Sequence, residues 1–236
     1  MRSMIFAAIF MLTMMLGISQ SEAAALKPDT LPMSPEWIAK IPAAQNAQQL
    51  MVVAGIGRST AWISMHVRDD HDRWRQIMTT PGFIGRAGLG KTREGDSKTP
   101  VGTFYFTKAF GIKKNPGCAL PYTQVDDNHY WSGDAREGMM YNHFVDIRQY
   151  PTLDTEASEH IVDYNPHYAY CLNISYNESG IAGKGSAIFL HCFGPAKPYT
   201  GGCVAIPEDK MITVMKNVQS NCIVVIDSID NLGGTL

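Results

Sequence analysis

After Ile18 the chain has no apolar run approaching the roughly 20 residues that a membrane-crossing helix needs, so nothing in its body is expected to span a bilayer. It lacks an excess of charge of either sign. The 20 Lys and Arg stand against 22 Asp and Glu, a formal −2, which offers no basic surface for nucleic acid. It lacks any Cys-x-x-Cys pair, the spacing usual in structural zinc sites, so a metal centre built from His191, Cys192 and Cys203 has no frame. It has no internal repeat and no low-complexity tract, which excludes solenoids and long flexible linkers.

What is present begins with a segment of another kind. Arg2 is followed by an almost wholly apolar stretch from Met4 to Ile18 and by small residues at Ser21-Glu-Ala-Ala-Ala25, which together read as a secretory signal peptide over residues 1–25. The first cysteine is Cys118, so no lipid-bearing cysteine follows that run. Removing the segment takes away Arg2 and Glu22 and leaves the net charge unchanged. The remainder is long enough for one well-buried core and short for two domains. It divides into a lead-in over 26–48, a main domain over 49–228 and a tail over 229–236. The mature protein is expected to be exported, with no stable membrane insertion.

Hydrophobic periodicity sets the elements. Pro35 to Ile41 reads as a short helix with proline and an acid in its first turn. Gln49 to Ala54, Ala61 to Val67 and Trp74 to Met78 are β-rich runs joined by Gly-Arg-Ser and by the charged turn Arg68-Asp-Asp-His-Asp-Arg73. Thr103 to Thr107, Ser186 to His191 and Cys222 to Asp227 add three more strands. Met211, Val214, Met215 and Val218 repeat at helical spacing after Pro207-Glu-Asp209. The fold class is therefore mainly β: an antiparallel β-sandwich or partly closed barrel, with one helix before the last strand. Residues 111–166, rich in Gly, Asn, Asp and Tyr, read as irregular, and a connection of that length is expected to serve function as a wall over a cleft.

Five cysteines, at 118, 171, 192, 203 and 222, leave at least one thiol unpaired in an exported chain. Cys203 is the natural candidate; the other four allow three complete pairings, and for Cys192 and Cys222 a reduced, buried thiol is equally compatible with their apolar runs. The loop Gly194-Pro-Ala-Lys-Pro-Tyr-Thr-Gly-Gly-Cys203 follows directly on the apolar run ending at His191, so a base and a sulfur nucleophile share one loop. A thiol attacks a carbonyl as thiolate, which needs a nearby base, and the resulting oxyanion needs backbone N–H donors that small residues can bring close. An imidazolium at His191 would lower the thiol pKa. Strand alternation points His191 one way and Cys192 the other.

The segment Gly183-Lys-Gly-Ser-Ala-Ile-Phe-Leu-His191 with Thr200-Gly-Gly-Cys-Val-Ala-Ile206 resembles the catalytic core of the bacterial L,D-transpeptidase catalytic-domain family. So do Gly85-Arg-Ala-Gly-Leu89, Arg93-Glu-Gly-Asp-Ser-Lys-Thr-Pro-Val-Gly-Thr-Phe104, Trp131 with Asp134, and Tyr141 with Asn142. The likeness covers roughly residues 49–228. Where the commoner form reads Ser-His-Gly-Cys-x-Arg, this chain has Thr200-Gly201-Gly202-Cys203-Val204-Ala205, so a second histidine and an arginine are absent.

The resemblance implies the same β fold and a peptidoglycan stem peptide as substrate. It implies Cys203 as nucleophile, His191 as base, the N–H groups of Gly202 and Cys203 as oxyanion donors, and Tyr141, Asn142, Thr200 and Gly201 as substrate contacts. A backbone carbonyl in the Cys192 to Gly194 stretch would suffice to orient the imidazole. The implied reaction forms a thioester at an L,D peptide bond, releases the terminal D-amino acid and passes the acyl group to an amine, with no cofactor. A carboxypeptidase using the same dyad, with water as acceptor, is the alternative within chemistry. A non-catalytic wall-binding protein is the alternative outside it.

Overall fold

The computed structural model describes residues 27–194 and 197–235, and the signal-like segment lies outside the described residues. The lead-in consists of single-turn 3-10 helices, including Glu36–Lys40 where the sequence predicts a helix. The strands that follow are β1 (Gln49–Gly55), β2 (Thr60–Arg68), β3 (Trp74–Phe83), β4 (Gly102–Gly111), β5 (Tyr122–Gln124), β6 (His129–Trp131), β7 (Phe144–Asp146), β8 (Glu159–His160), β9 (Cys171–Ile174), β10 (Phe189–Cys192) and β11 (Val204–Ile206). The helix α1 (Glu208–Asn217) and the strand β12 (Ile223–Ser228) complete the chain.

Eight strands close on themselves in the order β12, β1, β2, β3, β11, β10, β9, β4 and back to β12. The sheet is a closed barrel. Closure depends on the length of β4, whose first half, Gly102 to Tyr105, pairs antiparallel with β12 while its second half pairs with β9. A bulge between Phe106 and Lys108 lets one strand serve both partners by turning it mid-course. Most pairings are antiparallel, as expected, but β1 with β12, β10 with β11 and β4 with β5 run parallel. The parallel β10–β11 pair positions the site, because it brings His191 beside Ala205, two residues beyond Cys203.

Alternation along the strands sorts side chains into separate cores. Met51, Val53, Val224 and Ile226 point into the barrel with Leu190 and Cys192, and α1 closes it with Met211, Val214 and Met215, all fully buried. Each such side chain contributes about 1.5–3 kcal/mol of burial. Leu50, Val52, Ala54 and Val225 face outward against Trp37, Ile38 and Ile41 of the lead-in, so every residue of β1 is covered on both faces. A third cluster, Phe110, Val125, Trp131, Ile161, Tyr168, Cys171, Phe189 and Cys203, lies outside the barrel against β9 and β10.

Residues 111–166 are not irregular throughout. They contain β5, which adds to β4, and a three-stranded sheet in the order β7, β6, β8. With strands of two or three residues there is no run long enough for period-2 alternation to show in the sequence. The same brevity hides β9 and β11. The strand β3 continues past Met78, where the β-rich run ends in the sequence, to Phe83. Its second neighbour, β11, meets it only at Phe83, so Pro81 sits where β3 is paired on one side, the setting in which a sheet tolerates proline.

Candidate active site

Cys203 ends the loop between β10 and β11, and His191 is the third residue of β10. Both line one cleft of about 560 Å³, together with Thr200, Gly201 and Gly202. The alternation of β10 is visible in the packing: Leu190 and Cys192 belong to the barrel core, while His191 faces the cleft.

The imidazole is anchored through Nδ1. Its Nδ1 lies 2.8 Å from the Cys192 carbonyl oxygen, and a carbonyl only accepts, so Nδ1 carries the proton and Nε2 is left as the acceptor. The ring of Tyr168 packs edge-on against it at 5.4 Å. Burial pushes the His191 pKa down to about 4. The Cys203 sulfur donates to the Ala187 carbonyl at 3.1 Å and accepts from the Phe189 N–H at 3.3 Å. Burial, with the negative charge of Glu159, pushes its pKa up to about 12 against the opposing influence of the Phe189 N–H and Lys91. The resting pair is therefore a thiol and a neutral imidazole. This corrects the sequence-based expectation of an imidazolium that stabilises thiolate: the same burial that removes both groups from water disfavours both charges.

The nucleophile loop is braced from several elements. The buried Thr99 hydroxyl donates to the Gly202 carbonyl at 2.7 Å and accepts from the Gly85 N–H at 2.9 Å. The Thr200 hydroxyl donates to the Cys203 carbonyl at 2.7 Å and accepts from the Gly202 N–H at 3.1 Å. Gly202 has φ +151°, and a Cβ there would stand 2.8 Å from the Lys98 carbonyl oxygen, so this position requires glycine. Lys91 and Asp96 form a buried ion pair at 3.1 Å beside this loop.

Of the four candidate substrate contacts, Thr200 and Gly201 line the cleft. Tyr141 and Asn142 lie behind it. The buried Tyr141 hydroxyl donates to Glu94, which itself lines the cleft and accepts from Ser186 at 2.8 Å. The Asn142 amide is fully used: Oδ1 accepts from the Trp131 indole at 2.9 Å and the Ala187 N–H at 2.9 Å, while Nδ2 donates to the Tyr176 and Asn177 carbonyls. Asn142 thus reaches the thiol through Ala187. All five cysteines carry free thiols, Cys118 half-buried and the rest buried. Among the described residues no group of three or more His, Cys, Asp or Glu is placed to hold a metal ion.

The family model of the YkuD family, the L,D-transpeptidase catalytic domain, matches residues 58–226. The chain belongs to this family. Its members are L,D-transpeptidases, which ties the chain to cell-wall peptide chemistry. No curated protein matches the chain. Among solved structures, the helical cell shape determining protein Pgp2 from Campylobacter jejuni aligns with a TM-score of 0.42 at 11% identity, over 81% of this chain and 54% of that one. The chain spans about half the length of that structure.

Residues that sequence reasoning did not select also line the cleft: Arg86, Lys91, Glu94, Glu159, Tyr164 and Tyr168. Lys91 and Glu94 stand in or beside the segment that carries the family likeness. Glu159, Tyr164 and Tyr168 carry no motif, and only the folding of the small sheet against β10 brings them to Cys203. No helix of the described residues is long and apolar enough to cross a membrane.

Proposed function

We propose that the protein is an exported L,D-transpeptidase that acylates Cys203 with a peptidoglycan stem peptide and passes the acyl group to an amine. The observation that carries this reading is the pairing, in one cleft, of a thiol fixed by the Ala187 carbonyl and Phe189 N–H with an imidazole whose Nδ1–H is tied to a carbonyl, leaving Nε2 to accept.

Because both groups rest neutral, the thiol gives its proton to Nε2 as sulfur attacks the scissile carbonyl. The oxyanion then forms beside the N–H groups of Gly202 and Cys203. Gly202 exchanges its bond to Thr200 for one to the oxyanion, and the buried Lys91 ammonium adds favourable charge nearby. The imidazolium returns its proton to the leaving amine, and the terminal D-amino acid departs. An acceptor amine reverses the sequence. Glu159 and Tyr164, contributed by residues 111–166, line the cleft, and transfer outruns hydrolysis when the amine is held there at high effective molarity.

The experiment uses protein recovered from the cell envelope, its N-terminus read by sequencing, and incubated with a tetrapeptide muropeptide with and without an added amine. A start after Ala23 or Ala25 and formation of cross-linked or amine-exchanged product are expected. Accumulation of tripeptide alone at high acceptor concentration would make it a carboxypeptidase, and no turnover with an intact thiol would leave a binding protein.

A further inference from the structure

Glu159 is a carboxylate in the cleft with no assigned work. It is the first residue of β8, held in register opposite Trp131 of β6, and its position follows from that sheet and not from the barrel. Its Oε2 accepts one hydrogen bond, from the Tyr168 hydroxyl at 2.7 Å, and among the described residues it pairs with no Lys, Arg or His. Tyr164, exposed on the same wall, stacks on Tyr168 with ring centroids 4.7 Å apart. A carboxylate flanked by an exposed tyrosine face in a substrate-sized cleft is a receptor for a cationic amine, since both the charge and the ring attract ammonium.

The chemistry at Cys203 supplies the need for one. A primary amine attacks a thioester only as the free base, yet at neutral pH an aliphatic amine arrives as ammonium. His191 Nε2, free again once the D-amino acid has left, has room for one proton, the N–H proton that attack releases and that restores the thiol, so the extra proton of the ammonium needs a second acceptor. We infer that Glu159 binds the acceptor's ammonium and takes its proton, delivering the neutral amine to the acyl-Cys203. This rests on the thioester reading of Cys203.

The step balances. The ammonium gives one proton to the carboxylate, leaving a neutral amine and a neutral carboxyl. Nitrogen bonds to the thioester carbon, the C–S bond breaks, and the surplus N–H proton passes through His191 Nε2 to sulfur, restoring the thiol. The proton on Glu159 goes to solvent as product leaves. The titratable groups that feel this carboxylate are Tyr168 and Tyr164 from the turns after β8, Glu94 from the loop before β4, Cys171 of β9 and Cys203. None is cationic. Burial, with the charge of Glu94 adding and the Tyr168 hydroxyl opposing, pushes the Glu159 pKa up to about 7, where an acid–base group is effective near neutrality.

The test compares two acceptors on the same acyl-enzyme, formed from a tetrapeptide muropeptide and followed by mass spectrometry: D-methionine, an ammonium at pH 7, and hydroxylamine, already neutral there. In Glu159→Gln the ratio of the D-methionine rate to the hydroxylamine rate at pH 7 is expected to fall at least about a hundredfold, the low end of what general-base assistance supplies. In the unaltered protein the D-methionine rate should rise through pH 7 and level off, while the hydroxylamine rate should not follow that titration. An unchanged ratio in the variant, both rates falling together, parallel pH profiles, or a thioester that ignores D-methionine would each overturn the inference. Absence of any acyl adduct on Cys203 in the unaltered protein would instead overturn the proposed function on which it rests.

Discussion

A thiol whose pKa is pushed up to about 12 is, at pH 7, ionised in only on the order of one molecule in 10⁵, so Cys203 cannot work from a standing population of thiolate. Its proton has to move to His191 during attack. Two consequences separate this site from one built on a thiolate–imidazolium pair. Alkylation of Cys203 by iodoacetamide should be slow at pH 7 and still rising at pH 10, and a plateau below pH 8 would contradict the neutral pair. Replacing His191 with Ala should abolish turnover yet leave that alkylation profile nearly in place, because an uncharged imidazole does nothing to hold a thiolate. Cys203→Ala should remove activity and leave the thermal midpoint within a few degrees, since the sulfur's two hydrogen bonds are to the Ala187 and Phe189 backbone, which Asn142 and the pairing of Phe189 with Asn173 of β9 also fix.

Between elements, the connection that matters most runs from the small sheet to the thiol by way of one side chain. Asn142 has φ +61° and Ala187 φ +54°, both in the left-handed region, and the bond between them ties two unfavourable backbone turns together. The partners fix the amide orientation, since two are N–H donors and two are carbonyls. Asn142→Ala would orphan the Trp131 indole, the Ala187 N–H and two carbonyls, each buried donor or acceptor costing about 1–3 kcal/mol. Denaturant titration should show a loss of roughly 2 kcal/mol or more. Acylation should slow more than this loss of folded protein accounts for, because Ala187 releases the sulfur. A variant with normal stability and rate would mean that the bracket is incidental. The sequence made Cys203, His191 and the face of β10 legible, because a nucleophile loop and strand alternation are local patterns. It marked Asn142 by its family likeness but not by its task, which depends on partners 11 to 45 residues away. Glu159 was illegible for the same reason in stronger form: a two-residue strand has no periodicity, and its neighbour Trp131 lies 28 positions earlier in the chain.

Across the molecule the barrel, its helix plug and its outer strands were readable as a mainly β domain. Closure was not, because it depends on one strand pairing with β12 and β9 in succession. The finished fold also buries ionisable groups, one far from the cleft and two within it, and these set its response to acid. His66 on β2 is fully buried between two hydroxyls, Ser34 of the lead-in and Ser64, each 2.8 Å from a ring nitrogen. Burial pushes its pKa down from 6.5 to about 3, and that of His191 from 6.5 to about 4. A depressed pKa means stability that is present above the unfolded value and lost as pH falls towards the folded one, so both histidines destabilise the fold below pH 6.5. Glu159 acts in the opposite sense: its pKa is raised from 4.5 to about 7, so between those values the folded state holds a proton that the unfolded state lacks. In that window two histidines favour proton uptake on unfolding and one carboxyl favours release, a net of about one proton. Stability should therefore fall by roughly 1 kcal/mol for each pH unit lost between 6.5 and 4.5, at 1.36 kcal/mol per proton and pH unit. Removing one term changes the slope and not merely the height. His66→Gln should flatten the profile of unfolding free energy against pH in that window, and Glu159→Gln should steepen it towards two protons. If urea titrations at pH 6.5, 5.5 and 4.5 give parallel profiles for all three proteins, the opposition between the buried histidines and the cleft carboxyl is wrong, whatever the variants do to absolute stability.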